Sequence, residues 1–197
     1  MLRFWTMLAQ AHGNIWNASD PGRSLGVSQP AVRRSLDLLT GLSMVRQLQP
    51  WHANLTKRQV KSPKVYVRDS GVLHALLGLR TDGALLSHPK IGASWEGYII
   101  EEVLKAASPH AVYFWVTHQG AELDLLLVKG RRRAGVEFKY LDAPELTRSM
   151  RIAMEDLQLN RLTVIHPGES EYTLARRVQV LPASKIGSKD HEWLAAR

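Results

Sequence analysis

Residues 112–141 read VYFWVTHQGAELDLLLVKGRRRAGVEFKYL, three short strand patterns in succession. Leu123 to Val128 is apolar on both faces except for Asp124. A strand apolar on both faces is normally covered on both sides, and an ionised carboxylate there is costly unless a cation meets it. After the turn, GVEFKYL alternates, with Val136, Phe138 and Tyr140 on one side and Glu137 and Lys139 on the other. An Asp on one strand and a Glu-x-Lys on the next can converge on one spot, with the oxygen donors that a hard divalent cation prefers. The alternative is an ion-paired cluster joining neighbouring strands, although buried ion pairs are weak sources of stability.

Working outward, SWEGYIIEEVLKAAS (94–108) predicts an amphipathic helix with Trp95, Ile99, Val103 and Ala106 on one face and Tyr98 and Leu104 broadening it. Glu96 lies beside that face, with Glu101 and Glu102 further along. LTRSMRIAMEDL (146–157) predicts a second helix with Leu146, Met150, Ala153 and Leu157 inward. RLTVIHPG (161–168) reads as a buried strand and RVQVLPA (177–183) as a last short one. Helix, three strands, helix, strand, strand is the order of an α/β layer with a mixed sheet.

The N-terminal part follows a different rule. Residues 2–12 predict a helix with Leu2, Trp5, Leu8 and Ala9 on one face, ended by Gly13. Ser19 is the expected N-cap of a short helix broken by Gly26. Ser28 caps the next, with Pro30 in its first turn and Val32, Leu36 and Leu39 as its buried stripe. Two short helices across a tight glycine turn are the helix-turn-helix signature. Gln29 and Arg33 sit where a recognition helix meets base edges, and Arg34 within reach of phosphate. SMVRQLQPW and KVYVRDSG then read as antiparallel strands around a basic loop carrying Lys57, Arg58 and Lys61. The pattern is a winged helix-turn-helix with a wing suited to phosphate; its alternative is a helical docking domain with solvated arginines. VLHALLGL (72–79) reads as a short helix, so the expected domains are 1–80, a linker at 81–92 containing Gly83, Pro89 and Gly92, and 93–197.

Charge supports that division. Residues 1–90 hold 12 Lys/Arg against 4 Asp/Glu, whereas residues 91–197 hold 14 against 14, so the surplus of +8 lies in the first half. A basic half points to a polyanionic partner, most simply DNA. No apolar run approaches the length of a membrane span, and the N-terminus lacks the features of a signal peptide. There is no cysteine, which excludes thiolate metal sites and fits a reducing cytoplasm. The eight histidines show no paired ligand spacing, so zinc is not expected. Arg131, Arg132 and Arg133 read as a solvated turn, or as a group that holds substrate backbone beside the cleft.

A helix with Glu, a strand with Asp, and a strand with Glu-x-Lys resemble the core of the PD-(D/E)XK nuclease superfamily. More closely, GASWEGYIIEEVL, FWVTHQGAELDLLL and GVEFKY are similar to the C-terminal region of a bacterial AAA-type ATPase family of uncharacterised function. There a winged helix precedes the nuclease-like domain, so the resemblance covers nearly the whole chain. It implies a restriction-endonuclease-like mixed sheet flanked by helices, with Asp124, Glu137 and Glu96 as ligands of Mg²⁺ or Mn²⁺. Lys139 would position or polarise the attacking water. The sequence departs from the pattern in lacking a proline before Asp124 and in placing bulky Tyr140 after Lys139. No GxxxxGK[ST] phosphate loop occurs, so an ATPase domain is expected as a partner outside this chain and no nucleotide site within it. The competing expectation is a non-catalytic DNA-binding, regulatory or protein-docking module with a vestigial nuclease fold.

Overall fold

Helix α1 (Leu2–Ala11) buries Phe4, Leu8 and Ala9, so the inward face is rotated from the one expected. Phe4 meets Trp16 edge-on at 6.1 Å between ring centroids, and Leu2 is left 73% exposed. The computed structural model describes residues 2–52 and 61–188. These fall in two units, Met1–Leu48 with Ser62–Tyr98, and Gln49–Lys61 with Ile99–Arg197. Among the described residues there are seven α-helices and eight strands, with both parallel and antiparallel pairings.

In the first unit, α2 (Ser19–Leu25) and α3 (Gln29–Gly41) meet across Gly26, whose φ of +68° is the left-handed value that glycine adopts without steric cost. Ser28 caps α3 by accepting from the Ala31 amide, while Val32, Leu36 and Leu39 face the core. At α2 the expected cap moves: Ala18 holds the N-cap position, and Asn17 Oδ1 accepts from both the amide and the hydroxyl of Ser19. β1 (Val45–Pro50) pairs antiparallel with β2 (Lys64–Val67), as expected of the hairpin. The loop positions Lys57 and Arg58 lie outside the described residues. α4 (Ser70–Leu77) follows. The stretch expected as linker then holds α5 (Asp82–Leu86), capped by the Thr81 hydroxyl, and the start of α6 (Ile91–Ala107). The two units divide within α6, between Tyr98 and Ile99. Ile99, Ile100 and Val103 are its buried apolar residues in the second unit, whereas Tyr98 is 50% exposed and Ala106 is exposed. The apolar face is thus narrower than the sequence implies.

In the second unit β3 (Ala111–Val116), β4 (Glu122–Lys129) and β5 (Arg132–Phe138) form an antiparallel meander. Helix α7 (Arg148–Asp156) crosses to β6 (Arg161–His166), which runs parallel to β5. The short strand β7 (Tyr172–Ala175), absent from the expected order, pairs antiparallel with β8 (Val178–Pro182), itself parallel to β6. β1 enters this sheet through Gln49 and Pro50, parallel to β3. Met150, Ala153 and Leu157 of α7 and its C-cap pack on Leu126, Leu162, Val164 and Val180, which gives one sheet face its apolar cover. Gly135 makes this approach possible, since a Cβ there would stand 2.7 Å from Cδ1 of both Leu159 and Leu162.

His12 is a buried polar strut of the first unit. Its Nδ1 accepts from the Val67 amide at 3.0 Å, so the proton resides on Nε2, which donates to the Ala93 carbonyl at 3.0 Å. Burial, with help from the charges of Lys90 and His74, lowers its pKa to about 4, against a smaller opposing effect of the Ala93 carbonyl. Between pH 6.5 and 4 the unfolded chain therefore binds a proton that the folded chain refuses, and stability falls as the pH falls through that window. The loss attributable to His12 is about 3 kcal/mol. Chemical unfolding from pH 7 to 4 should show that slope in the wild type, and a shallower one in His12→Asn.

Candidate functional site

The site grows from the β4–β5 hairpin. Leu125 pairs with Val136 in the antiparallel register, and one step further Asp124 comes opposite Glu137. Facing residues on antiparallel strands share a sheet face. Asp124 Oδ2 accepts from the Phe138 amide at 3.0 Å, which fixes the carboxylate against β5. On the other edge of β4 the register with β3 slips. Tyr113 pairs with Leu126 but Trp115 with Leu123, so three steps on β4 are matched by two on β3. The extra residue falls at Asp124–Leu125, a bulge of the kind that re-aims a side chain beside a site.

Glu137 is 2% exposed and Asp124 7%. Lys139 Nζ donates to Glu137 Oε2 at 2.7 Å, while its own amide donates to the Ile165 carbonyl and holds the chain end against β6. Glu137 Oε1 is buried and receives no N–H donor, while the protonated Glu137 carboxyl hydrogen-bonds Asp124. Burial and then the neighbouring Asp124 raise the Glu137 pKa to about 8, against the lowering effect of the Lys139 ammonium. Glu137 therefore keeps its proton at neutral pH. For Lys139, burial acts downward, but Glu137, Asp124 and then Glu122 outweigh it and hold the ammonium above its ordinary value. Glu122 is thus part of the local electrostatics; it precedes Asp124 by two on the same strand, and that spacing was the available signal.

Two adjacent buried carboxyl groups are oxygen donors of the type that a hard cation takes, together with several waters. Among the described residues no group of three or more His, Asp or Glu has a metal-holding arrangement. Asp124 and Glu137 are the two neighbouring acids from which a metal site could be built. Glu96 lies on the first-unit part of α6, where its carboxylate accepts from the Tyr66 hydroxyl, with Lys64 Nζ 3.8 Å away. Glu101, on the second-unit part, is 9% exposed. His166, at the end of β6, is wholly buried; its Nε2 lies 2.8 Å from the Ser170 carbonyl and its Nδ1 has no partner. Nothing in its sequence setting distinguished it from a core histidine.

Of the residues expected to contact nucleic acid, Gln29, Arg33 and Arg34 are exposed on α3, and Lys61 is exposed. Arg131–Arg133 lie at the other end of β5 from Glu137. Five steps along the strand take Arg132 to Glu137, about 17 Å, so they do not flank the carboxylates. No described helix is long and apolar enough to cross a membrane.

The protonated state of Glu137 gives a stability test. Its folded pKa of about 8 lies above the ordinary value of 4.5, so folding retains a proton that the unfolded chain loses. Stability then falls as the pH rises from 4.5 to 8. Glu137→Gln, which cannot ionise, should exceed the wild type by about 1–3 kcal/mol at pH 9. The gap should close near pH 5, as read by denaturant unfolding.

Comparison with known proteins agrees with a two-part chain. A family model described as a domain of unknown function, DUF8612, matches residues 1–83, and another, the domain of unknown function DUF4143, matches residues 91–186. The chain is 47% identical over 186 residues to uncharacterized proteins of Mycobacterium bovis and of Mycobacterium tuberculosis. Each alignment takes in 94% of this chain but 42% of the relative, so the chain spans about two fifths of the length of the curated relatives it matches. No solved structure matches the chain.

Proposed function

We propose that the chain is the C-terminal part of an AAA-type ATPase-family protein, binding DNA through a winged helix-turn-helix and hydrolysing phosphodiesters at a PD-(D/E)XK-type, divalent-metal-dependent site. The observation that carries the reading is the buried opposition of Asp124 and Glu137, whose carboxyl groups share a hydrogen bond, with Lys139 at 2.7 Å from Glu137 Oε2. The proton that Glu137 retains lies between the two carboxyl groups, and its loss on ionisation would leave two carboxylates for a divalent cation to bridge in charge.

Asp124 and Glu137 would hold Mg²⁺ or Mn²⁺, which would stabilise charge on the phosphoryl oxygens and acidify a bound water. The remaining work falls to the chain. The Phe138 amide keeps Asp124 in place. Lys139 places a fixed positive charge beside the carboxylates, where it can orient a water and offset the charge of the scissile phosphate. Glu137 must give up its proton for both carboxylates to ligate, so occupancy improves with rising pH. Glu96, the helix acid that the resemblance assigns, is engaged in the first unit by Tyr66 and Lys64; Glu101 is the alternative from the same helix.

The α2–Gly26–α3 turn, the exposed Gln29, Arg33 and Arg34, and the following β1–β2 hairpin support DNA contact by the first unit. Lys57, Arg58 and Lys61 are the further cations that this reading assigns to phosphate contact.

A second reading, a DNA-binding or docking module without catalysis, draws on the two-acid composition of the cluster. Cleavage assays separate the two. With Mg²⁺ the wild type should nick supercoiled plasmid, and Asp124→Asn or Lys139→Ala should lower the rate by about 100-fold or more. Calorimetry should detect Mg²⁺ binding in the wild type and not in Asp124→Asn. DNA binding that survives in a wild type inert with every divalent metal would establish the non-catalytic reading instead. Replacing Arg33 and Arg34 together by alanine should weaken DNA binding about tenfold and flatten its salt dependence by about two counterions.

A further inference from the structure

The second half of the sequence is neutral overall, yet the topology of the second unit sorts its charges by end. β4 turns into β5 through Gly130 and Arg131, with Lys129 paired to Arg132. Arg133 exchanges main-chain and side-chain hydrogen bonds with Asn160, which brings the start of β6, and Arg161, to the same end. Leu162 then donates to the Arg177 carbonyl, and the Arg177 guanidinium donates to the Leu159 carbonyl at 2.9 Å, adding the β7–β8 turn. An open pocket beside that turn is lined by Arg151, Met154, Glu155, Gln158, Arg176 and Arg177. Glu155 and Asp156, at the end of α7, are the acids on this side. At the opposite end, beyond β5 and β6 and at the start of β4, are Glu122, Asp142, Glu145, Glu169 and Glu171, with Asp124 and Glu137, against Lys139, Lys185 and Arg148.

From this sorting we infer that the edge carrying Lys129, Arg131, Arg132, Arg161, Arg176 and Arg177 is a second nucleic-acid contact surface, one that tracks a phosphate backbone away from the carboxylate end. All but one of these cations are arginines, whose planar fork matches phosphate oxygens two at a time. Lys129, Arg131, Arg132, Arg176 and Arg177 are exposed, and Arg161 is half-buried. The edge from the β4–β5 turn to the β7–β8 turn covers four strand spacings, about 19 Å, comparable to five or six phosphates along one strand of a duplex. Gln158 and Arg177, both lining the pocket, hold φ values of +50° and +66°. Backbone strain of that kind clusters where binding constrains the chain. The inference takes its class of partner from the nucleic-acid reading above but uses none of the α3 residues.

The test uses the whole chain and a fluorescein-labelled 20-base-pair duplex titrated at several salt concentrations. Arg131→Glu combined with Arg176→Glu should lower affinity at least tenfold and reduce the salt slope by about two. The milder Arg131→Ala with Arg176→Ala should fall between, with unchanged circular dichroism and Tm. Affinity and slope unchanged in both variants, while Arg33→Ala with Arg34→Ala loses binding, would overturn the inference and leave the α3 reading standing. The reverse pattern would overturn the α3 reading alone. Polyglutamate competing as well as DNA for this edge would also overturn the inference, because it would make the edge an acidic-protein surface.

Discussion

Two carboxyl groups buried side by side on adjacent strands are the constraint to which the second unit answers. Desolvation, and then their mutual repulsion, push Glu137 up to about 8, in spite of an ammonium at hydrogen-bond distance. The arrangement persists because its surroundings leave it no other place. The β4 bulge sets Asp124, the Phe138 amide pins it, β6 holds the Lys139 backbone, and α7 closes the sheet face with Met150, Ala153 and Leu157. A buried cluster of this kind is costly to fold unless its charges are met or neutralised.

Much of this was legible in the sequence because it is local. The Val32–Leu36–Leu39 stripe, the Ser28 cap, the antiparallel β1–β2 hairpin and the three-strand meander each follow from spacing or a single turn residue. So does the convergence of Asp124, Glu137 and Lys139, since alternation in β5 and a two-residue turn determine which side chains meet. What was not legible depends on partners distant in sequence. The bulge exists only in the register of β4 with β3. Tyr66 and Lys64, which engage Glu96, are 30 and 32 residues away from it. β7 has four residues, none fully buried, so it lacks the apolar run that marks a strand. The α1 face turned because Trp16 offered Phe4 an aromatic partner that helical spacing alone does not disclose.

Net charge was informative for one half and misleading for the other. The surplus of the first half can be read by counting. The neutrality of the second conceals a sheet with arginines where the parallel strands begin and carboxylates where β5 and β6 end. Only the topology, which aligns the starts of β5, β6 and β8, turns that list of charges into a polarised body. Electrostatic steering responds to such a distribution and not to its sum.

Arg177 carries a consequence for anyone who would stabilise this protein. Glycine or asparagine tolerates its left-handed backbone better than arginine does, and such replacements are an ordinary route to a higher melting temperature. At this position the replacement would also delete the bond to the Leu159 carbonyl and one cation from the sheet edge. Conformational ease and surface charge therefore pull in opposite directions at a single residue, and a library selected for thermal resistance alone would be drawn toward neutralising it.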